Sequence, residues 1–394
     1  MPDGEGRCEA NSRAAKASLE GGRLRNGNCR RAWFAALCWS LAIGGSGITR
    51  ADDVTPSPES IVIRVLLMES AGSLRVRDWH AGGGGTLVEA GPSGLLADGR
   101  PVGAVWRFAG SGIVEVDRMR FRGELEFRSI PNGMQVINKV TLEDYVAGIL
   151  GREIYPNWHL ETLKAQAVAA RSYALHQRAE SSGQAFHVKA GTGSQVYGGV
   201  AAETPTICAA VLATRGEFLA YAQKPILAVY HSASGGRTAS SEEVWGRPLP
   251  YLVSLEVDDE QDSPDTYWRA TISKTKLGRA LDSLGIRIGS PRELQVVDRS
   301  GSGRALRVRI RGDKGNHEME ARALRVALGE SVIRSTLFEI RSARNAFVFV
   351  GSGHGHGVGM SQWGAQSMAQ RGSTYREIIE AFYPGTSLVG GTQR

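Results

Sequence analysis

Cysteine is scarce in this chain of 394 residues, and its placement excludes two kinds of scaffold. Three of the four cysteines lie in the first 51 residues, and only Cys208 lies beyond them. No two cysteines are separated by two residues, which excludes a CxxC metal-binding pair. A disulfide framework within residues 52–394 is excluded because only one cysteine is available there. We predict no metal and no cofactor, and a buried structural thiol at Cys208, which lies in an apolar run.

Strong charge is also lacking. The formal net charge is +7, and residues 1–51, with eight Lys/Arg and four Asp/Glu, carry +4 of it. The remaining +3 is spread over more than three hundred residues and forms no basic stripe of the kind that binds nucleic acid. Nucleic acid is therefore excluded as a predicted partner.

The sequence has no apolar run long enough for a typical membrane-spanning helix. Its strongest candidate, Ala32–Ile43, follows Arg30 and Arg31 and has the length of a signal-peptide core. We predict that residues 1–51 are a leader, either a signal peptide cleaved before Asp52 or an uncleaved N-terminal anchor. Residues 52–60 form a polar linker, and the protein is expected to be exported to the cell envelope.

Strand patterns follow the linker. A β-branched apolar run begins at Ile61, and Phe121–Val140 reads as a hairpin with Pro131-Asn132-Gly133 at its tip. Residues 61–140 are therefore expected to be a β-rich N-terminal portion.

The segment Thr141–Leu175, TLEDYVAGILGREIYPNWHLETLKAQAVAARSYAL, predicts two helices separated at Pro156. Asn157 is the expected N-cap of the second helix. Lys164 and Arg171, seven residues apart, share one of its faces. Glu153 lies at the break between the helices, which is a suitable mounting for a general acid.

Three further polar elements follow along the chain. A glycine-rich loop, Gly191–Gly199, presents Ser194, Gln195 and Tyr197 and lacks the Gly-Lys-Ser/Thr ending of a phosphate loop. The run PILAVYHS predicts a buried strand that ends in Tyr230 and His231. Every second residue from Gly351 to Gly359 is glycine, with His354 and His356 between them, and Gln362–Gln370 predicts a helix.

These elements resemble the motifs of the stage II sporulation protein D family (SpoIID/LytB), which are glycan-cleaving or amidase-modulating proteins of the bacterial cell wall. The resemblance covers about residues 121–388. It lies in the two-helix segment, in Ser-Gln-Val-Tyr at 194–197, in His-Ser-x-Ser-Gly-Gly-x-Thr at 231–238, and in Gly-His-Gly-Val-Gly-Met-Ser-Gln at 355–362. His354 stands where family members usually carry another residue, often an aromatic one. The cysteines of the zinc cluster found in some members are missing.

The resemblance implies an α+β fold, with the β-rich portion leading into a SpoIID-like catalytic region at 141–394 and a glycan-binding cleft. An inserted α/β subdomain is expected at about 254–350, with a helix near 275–284. The implied activity is that of a peptidoglycan lytic transglycosylase, in which Glu153 is the single acid/base. To be protonated at neutral pH, Glu153 would need a raised pKa, through burial against Tyr155 or Trp158. Glu143 is expected to be structural. The expected substrate-binding residues are Lys164, Arg171, Ser172, Ser194, Gln195, Tyr197, Tyr230, His231, Ser234, His356, Ser361 and Gln362.

Two other interpretations remain open at this point. The same groove could bind glycan without cutting it and activate a cell-wall amidase, as an amidase enhancer does. An exported hydrolase with a metal at His231, His354 and His356 is the third, and it lacks a short-spaced ligand pair with a supporting carboxylate. The predicted partners are peptidoglycan glycan strands and a cell-wall amidase.

Overall fold

A computed structural model describes residues 61–81, 83–191, 193–258, 260 and 262–391. The predicted leader and linker lie outside the described residues. The fold is α+β, as predicted: a large antiparallel sheet comes first, and helices and small sheets follow. Of the helices within the described residues, none is both long and apolar enough to cross a membrane.

The N-terminal sheet has nine strands, and eight of them come from consecutive segments of the chain. The eight are β1 (Val62–Ser70), β2 (Leu74–Asp78), β3 (Thr86–Gly91), β4 (Gly94–Ala97), β5 (Arg100–Gly103), β6 (Val105–Val116), β7 (Met119–Ile130) and β8 (Gly133–Thr141). The order across the sheet is β5-β4-β3-β2-β6-β7-β8-β1-β9, where β9 (Val188–Lys189) lies parallel to β1. The other neighbouring pairs are antiparallel.

The predicted hairpin is confirmed as β7 and β8. Ile130 pairs with Gly133, so Pro131 and Asn132 form a two-residue turn. Gly133 has a φ of 138°, and a side chain there would meet the carbonyl oxygen of Ser70. Glycine is therefore required at this position for β8 to approach β1.

Two helices follow directly, α1 (Leu142–Glu153) and α2 (Leu160–Glu180). The predicted break at Pro156 is confirmed, but the predicted N-cap at Asn157 is wrong. The N–H of Trp158 bonds to the carbonyl of Tyr155, so these residues form a turn before α2 begins. His159 is the N-cap instead, because its side chain accepts a bond from the N–H of Glu161.

Helix α2 is the central element of the fold, and it packs against α1 and three later helices. Two hydrophobic clusters meet along it. One contains the large sheet and α1, and the other contains the C-terminal helices. Its buried alanines, among them Ala167, Ala169 and Ala170, allow this close packing on several sides.

The segment after β9 is irregular and contains short elements. They are a 3-10 helix (Gly199–Ala202), α3 (Pro205–Ala213), β10 (Phe218–Tyr221), β11 (Lys224–Pro225), β12 (Tyr230–His231) and α4 (Ser241–Trp245). The strand predicted from PILAVYHS is therefore reduced to the two residues of β12. Main-chain bonds from Ala228 to Ile226 and from Val229 to Leu227 turn the segment locally and prevent longer strand pairing.

The inserted segment has its own hydrophobic cluster, which extends from Trp268 to Phe349. Its elements are β13 (Trp268–Ser273), α5 (Lys274–Ser283), β14 (Pro291–Arg299), β15 (Ala305–Gly312), β16 (Asn316–Glu320), α6 (Ala321–Leu328), β17 (Phe338–Ser342) and β18 (Ala346–Gly351). They form two three-stranded sheets, β13-β18-β17 and β14-β15-β16. The helix predicted near 275–284 corresponds to α5.

The C-terminal segment returns to the core. It contains β19 (Met360–Ser361), α7 (Gln362–Gln370), α8 (Tyr375–Phe382) and β20 (Ser387–Val389). The predicted helix Gln362–Gln370 is confirmed as α7. Strand β19 lies parallel to β12, which places the last glycine-rich segment beside Tyr230 and His231.

The state of Cys208 differs from the predicted buried thiol. It is buried on α3, as expected for an apolar run, but it is disulfide-bonded rather than a free thiol. The other three cysteines lie outside the described residues.

Candidate functional site

A cavity of about 520 Å³ lies where the end of α1, the glycine-rich loop, β12 and the segment after β18 meet. Residues of the insert also line it, including Arg325 and Glu330. Seven of the residues predicted for the site face this cavity, although they come from five separate segments of the chain. They are Glu153, Ser194, Gln195, Tyr230, His231, His356 and Gln362.

Glu153 is the last residue of α1, and its carboxylate accepts a hydrogen bond from the N–H of Val196 in the glycine-rich loop. Burial raises the pKa of Glu153, and the Val196 N–H lowers it only in part, so the net direction is upward. Within the described residues no cation forms an ion pair with this carboxylate. A side chain in this state holds its proton more readily than an exposed glutamate and is suited to donate it.

The rise in the Glu153 pKa was predicted. The phenols that interact with the charge of Glu153 are those of Tyr145 and Tyr230. Burial raises the pKa of both phenols, and the charge of Glu153 contributes to the rise. The predicted neighbours Tyr155 and Trp158 instead form an aromatic cluster with Trp363, with ring centroids 4.6–6.4 Å apart.

Gln195 links two tyrosines beneath the cavity. The hydroxyl of Tyr145 donates to its side-chain oxygen at 2.9 Å, and its side-chain nitrogen donates to the hydroxyl of Tyr230 at 3.0 Å. Because the Tyr230 oxygen accepts in this chain of bonds, its own proton can be donated to a molecule in the cavity.

The Nδ1 atoms of the two histidines in the family motifs make opposite kinds of hydrogen bond. His231 Nδ1 lies 3.1 Å from the carbonyl of Val358 and donates to it, so Nε2 is an acceptor, and this buried atom has no partner within the described residues. His356 Nδ1 accepts from the N–H of Val358 at 3.0 Å. Burial lowers the pKa of both rings, to about 4 for His356, so both imidazoles are neutral at neutral pH.

A close backbone approach brings these rings together. Gly355 has a φ of 109°, and a Cβ there would lie 2.8 Å from the Cβ of His231. Glycine at this position lets the segment that carries His354 and His356 lie against β12. The His231 and His356 ring centroids are 5.7 Å apart.

Three predicted residues of α2 lie away from the cavity. Arg171 is fully buried and forms a two-point ion pair with Glu143 at 2.7 and 2.9 Å. The buried hydroxyl of Ser172 donates to the carbonyl of Val168 and accepts from the N–H of Leu219. Lys164 pairs with Glu161 at 2.6 Å and lines a different cavity of about 420 Å³. The structure therefore places these residues in contacts within the protein, and Glu143 is structural as predicted.

Tyr197, Ser234 and Ser361 are also engaged within the protein. Tyr197 donates to the side-chain oxygen of Asn138 at 2.7 Å. The hydroxyls of Ser234 and Ser361 both donate to the carboxylate of Glu260, which also accepts from the N–H groups of Ser234 and Gly235. Glu260 therefore joins two family motifs that are more than a hundred residues apart in sequence.

Sequence reasoning missed Glu260 and Asp265. Asp265 accepts a bond from Nδ1 of His354, which lines the cavity and had a predicted role only in the metal-dependent alternative. Both carboxylates belong to the loop VDDEQDSPD, which has five acidic residues. No signal in one sequence distinguishes the two buried members from their neighbours.

Within the described residues, no group of three or more His, Cys, Asp and Glu side chains is arranged to hold a metal ion. The cavity lining combines a protonatable carboxyl, uncharged hydrogen-bonding groups, the charged side chains of Arg325 and Glu330, and the aromatic ring of Trp245, whose centroid lies 5.6 Å from that of His356. These groups suit a polar ligand such as a sugar.

Two family models match the sequence of this chain. The model "Stage II sporulation protein" (SpoIID) matches residues 131–221, and a domain of unknown function (DUF8618) matches residues 241–359. The first match contains Glu153, and the second covers the insert.

Three curated proteins are similar to this chain. An uncharacterized protein of Brachyspira hyodysenteriae is 34% identical over 69% of this chain and 73% of its own length. Stage II sporulation protein D of Bacillus subtilis is 30% identical over 64% of this chain and 76% of its own length. The amidase enhancer of Bacillus subtilis is 28% identical over 61% of this chain, but only 40% of that protein is covered. The chain belongs to the stage II sporulation protein D family.

Proposed function

We propose that the protein is a peptidoglycan lytic transglycosylase that cleaves the bond between N-acetylmuramic acid and N-acetylglucosamine, with Glu153 as the acid. The observation that carries the proposal is the position of Glu153. It is a carboxyl with a raised pKa, free of any ion pair within the described residues, facing a cavity lined by hydrogen-bonding side chains.

The chemistry requires one acid. Glu153 protonates the glycosidic oxygen as the bond from that oxygen to C1 of the muramyl residue breaks, and the muramyl 6-hydroxyl adds to C1. The 6-hydroxyl loses its proton in this step, so a base is also needed, and the carboxylate left on Glu153 can serve as one. The product carries a 1,6-anhydro ring and no water is consumed. Most glycosidases need a second carboxylate because they activate water.

Other groups at the cavity would bind the strand. The proton of Tyr230 and the Nε2 lone pair of His231 supply one donor and one acceptor for sugar hydroxyl or acetamido groups. Trp245 supplies an aromatic face on which a sugar ring can stack. Ser194, Gln195, His356 and Gln362 complete the proposed substrate-binding set. Six other residues predicted for the site act on this set indirectly, through the contacts that hold its segments in place. They are Lys164, Arg171, Ser172, Tyr197, Ser234 and Ser361.

The proposal extends to organisation and location. Residues 61–140 form the β-rich portion, and residues 141–394 form the catalytic region, with the insert at about 254–350. Residues 1–51 direct export to the cell envelope, where the partners are peptidoglycan strands and a cell-wall amidase.

A second candidate function is that of a non-catalytic amidase enhancer, and the relative with that name supports it. In that case the cavity binds glycan and Glu153 is a contact to the ligand. The two functions differ in their products, because an enhancer alone releases none from glycan strands.

The deciding experiment uses glycan strands stripped of peptide. Wild-type protein is expected to release fragments with 1,6-anhydro-muramic acid ends, which mass spectrometry identifies by the loss of one water. Glu153→Gln should reduce the rate by about 10²–10⁴-fold while strand binding persists, since general acid catalysis contributes that much. Reducing ends would indicate a hydrolase. Absence of cleavage, with equal stimulation of an amidase by wild type and Glu153→Gln, would indicate an enhancer.

A further inference from the structure

His354 and Asp265 form a hydrogen-bonded pair at the cavity that contains Glu153. Nδ1 of His354 lies 3.0 Å from Oδ2 of Asp265. The Asp265 side chain is 7% exposed and that of His354 is 38% exposed. The carboxylate is therefore inside the protein, while the imidazole extends from it into the cavity.

The Asp265 carboxylate is fixed from its other side. Its Oδ1 accepts a bond from the guanidinium of Arg334, and its main-chain N–H donates to the hydroxyl of Ser263 at 3.1 Å. With Oδ1 held by the guanidinium, Oδ2 accepts a hydrogen bond from the N–H at Nδ1 of His354. This fixes the tautomer: Nδ1 carries the hydrogen, and Nε2 presents a lone pair.

The backbone around His354 is equally constrained. His354 and Ala233 exchange two main-chain bonds, of 2.8 and 3.2 Å. The N–H of Gly353 donates to the carbonyl of Asp265 at 2.8 Å, and the N–H of Gly355 donates to the carbonyl of Arg334 at 2.9 Å. Both the ring and its carboxylate are therefore held in place before any ligand binds, as a catalytic pair requires.

We propose that His354, oriented by Asp265, is the base that accepts the proton of the attacking hydroxyl, while Glu153 is the acid. This inference rests on the proposed function and divides its two proton transfers between two residues. His354 would touch the substrate and is a catalytic residue. Asp265 acts through His354 and is a positioning residue.

The step balances. The proton of Glu153 goes to the leaving oxygen, the C1 bond to that oxygen breaks, and O6 forms a bond to C1. The O6 proton passes to Nε2 of His354, which leaves an imidazolium beside Asp265 and a carboxylate on Glu153. Solvent then returns one proton from the imidazolium to the carboxylate, and both residues regain their starting states.

Separate residues can meet the different protonation requirements of the acid and the base. Burial raises the pKa of Glu153, which favours the form that donates, whereas a base must be unprotonated when the attack begins. With one residue for each task, a single carboxyl does not have to satisfy both conditions. Glu153 comes from the end of α1, and His354 comes from the segment between β18 and β19, so the two groups approach the cavity from different elements.

The test measures cleavage of stripped glycan strands by four variants. His354→Ala is expected to lower kcat by about 10²-fold or more with less than threefold change in KM, as for loss of a general base. Asp265→Asn should lower kcat comparably, because an amide in place of the carboxylate can hold the ring in the wrong tautomer. The double variant should be no slower than His354→Ala alone, since the two residues act as a unit. His317→Gln, on β16 and outside this cavity, is the control and should retain the wild-type rate.

Added imidazole gives a readout that a structural role would not change. It should restore part of the activity of His354→Ala, because it supplies the missing base, and should restore none in Glu153→Gln. Melting temperature and strand binding are measured on every variant. If Asp265→Asn does not fold, the rate and the rescue of His354→Ala decide the matter, because the side chain of His354 is 38% exposed and its removal leaves no buried cavity.

The outcomes distinguish failure of the proposal that His354 is the base from failure of the proposed function on which it rests. A normal kcat for His354→Ala, with Glu153→Gln inactive, overturns this inference and leaves Glu153 to act as both acid and base. A rise in KM alone makes His354 a binding contact and overturns its role as base. Additive losses in the double variant, without rescue by imidazole, make the pair a structural link to the insert. No cleavage by wild-type protein overturns the proposed function itself, and this inference with it.

Discussion

The side-chain amide of Gln362 donates a 2.8 Å hydrogen bond to the main-chain carbonyl of Glu153, 209 residues earlier in the chain. The same amide group lies 3.3 Å from the side-chain oxygen of Gln166 on α2. The start of α7 therefore holds the end of α1, and the final motif fixes the residue proposed as the acid. This contact explains why a glutamine at the first position of α7 matters to a carboxyl on another helix.

We expect Gln362→Ala to loosen Glu153 without removing it. The Glu153 carbonyl loses its partner, which costs about 1–3 kcal/mol of unfolding free energy. The displaced carboxyl should lower cleavage by on the order of tenfold, since small errors in position are costly in catalysis. Urea denaturation and cleavage rates measure the two effects. Gln370→Ala, at the exposed end of the same helix, is the control, and equal losses in both variants would contradict the prediction.

Glu153→Gln should stabilise the protein at neutral pH. Burial raises the pKa of Glu153 in the folded state above the value of about 4.3 for an unfolded chain. The folded state therefore binds the proton more tightly, and this contribution to stability is fully present below the unfolded pKa. It is lost as pH rises through the folded pKa, where the buried carboxyl must ionise.

The measurement is urea denaturation of wild type and Glu153→Gln at pH 4 and pH 7. The variant should gain stability relative to wild type at pH 7, and the gain should shrink at pH 4. An equal difference in the free energy of unfolding at both pH values would show that folding does not shift the pKa of Glu153. Glu180→Gln, at the exposed end of α2, should show neither effect.

Arg171→Met should destabilise the fold strongly. The guanidinium is fully buried, and it pairs with Glu143 and donates to the carbonyl of Glu217 at 2.9 Å. Removing one partner of a buried pair leaves an uncompensated charge, at a cost of about 3–5 kcal/mol. Chemical denaturation tests this, with the exposed Arg178→Met on the same helix as the control. A variant with normal stability and weaker glycan binding would instead support the direct substrate contact predicted from sequence.

The sequence predicted those parts of the molecule in which a local pattern decides the structure. The β7–β8 hairpin follows from its turn residues, and α5 and α7 follow from their local sequences. The motifs also led to Glu153, Tyr230 and His231 at one cavity. Local patterns could not show that Arg171 lies inside, because a cation on a helix looks the same whether the surrounding helices cover it or solvent does.

Partners distant in the sequence account for the contacts that the sequence did not predict. Ser234 and Ser361 were predicted to bind substrate, whereas their hydroxyls donate to Glu260, a residue that looks like any other member of its acidic loop. The Asp265–His354 pair is invisible for the same reason, since 89 residues separate its members. Contacts of this kind depend on the folded arrangement and leave no periodic trace.

The protein is expected to need no metal, and His231 and His356 are the residues that test this prediction most directly. His231 Nε2 has a free lone pair within the described residues, and His356 lies beside it. However, the Nδ1 lone pair of His356 already accepts from Val358, and the pair lacks the third ligand that a structural or catalytic zinc requires.

Purified protein should therefore contain less than about 0.1 zinc per chain by elemental analysis, against the one per chain of a zinc site. Its cleavage rate should be unchanged after dialysis against a chelator. His231→Ala should weaken glycan binding, because an acceptor is lost, without altering metal content. Near-equimolar zinc that disappears in both His231→Ala and His356→Ala would contradict the prediction and support the metal-dependent hydrolase. Zinc that persists in both variants would point to a site elsewhere in the chain.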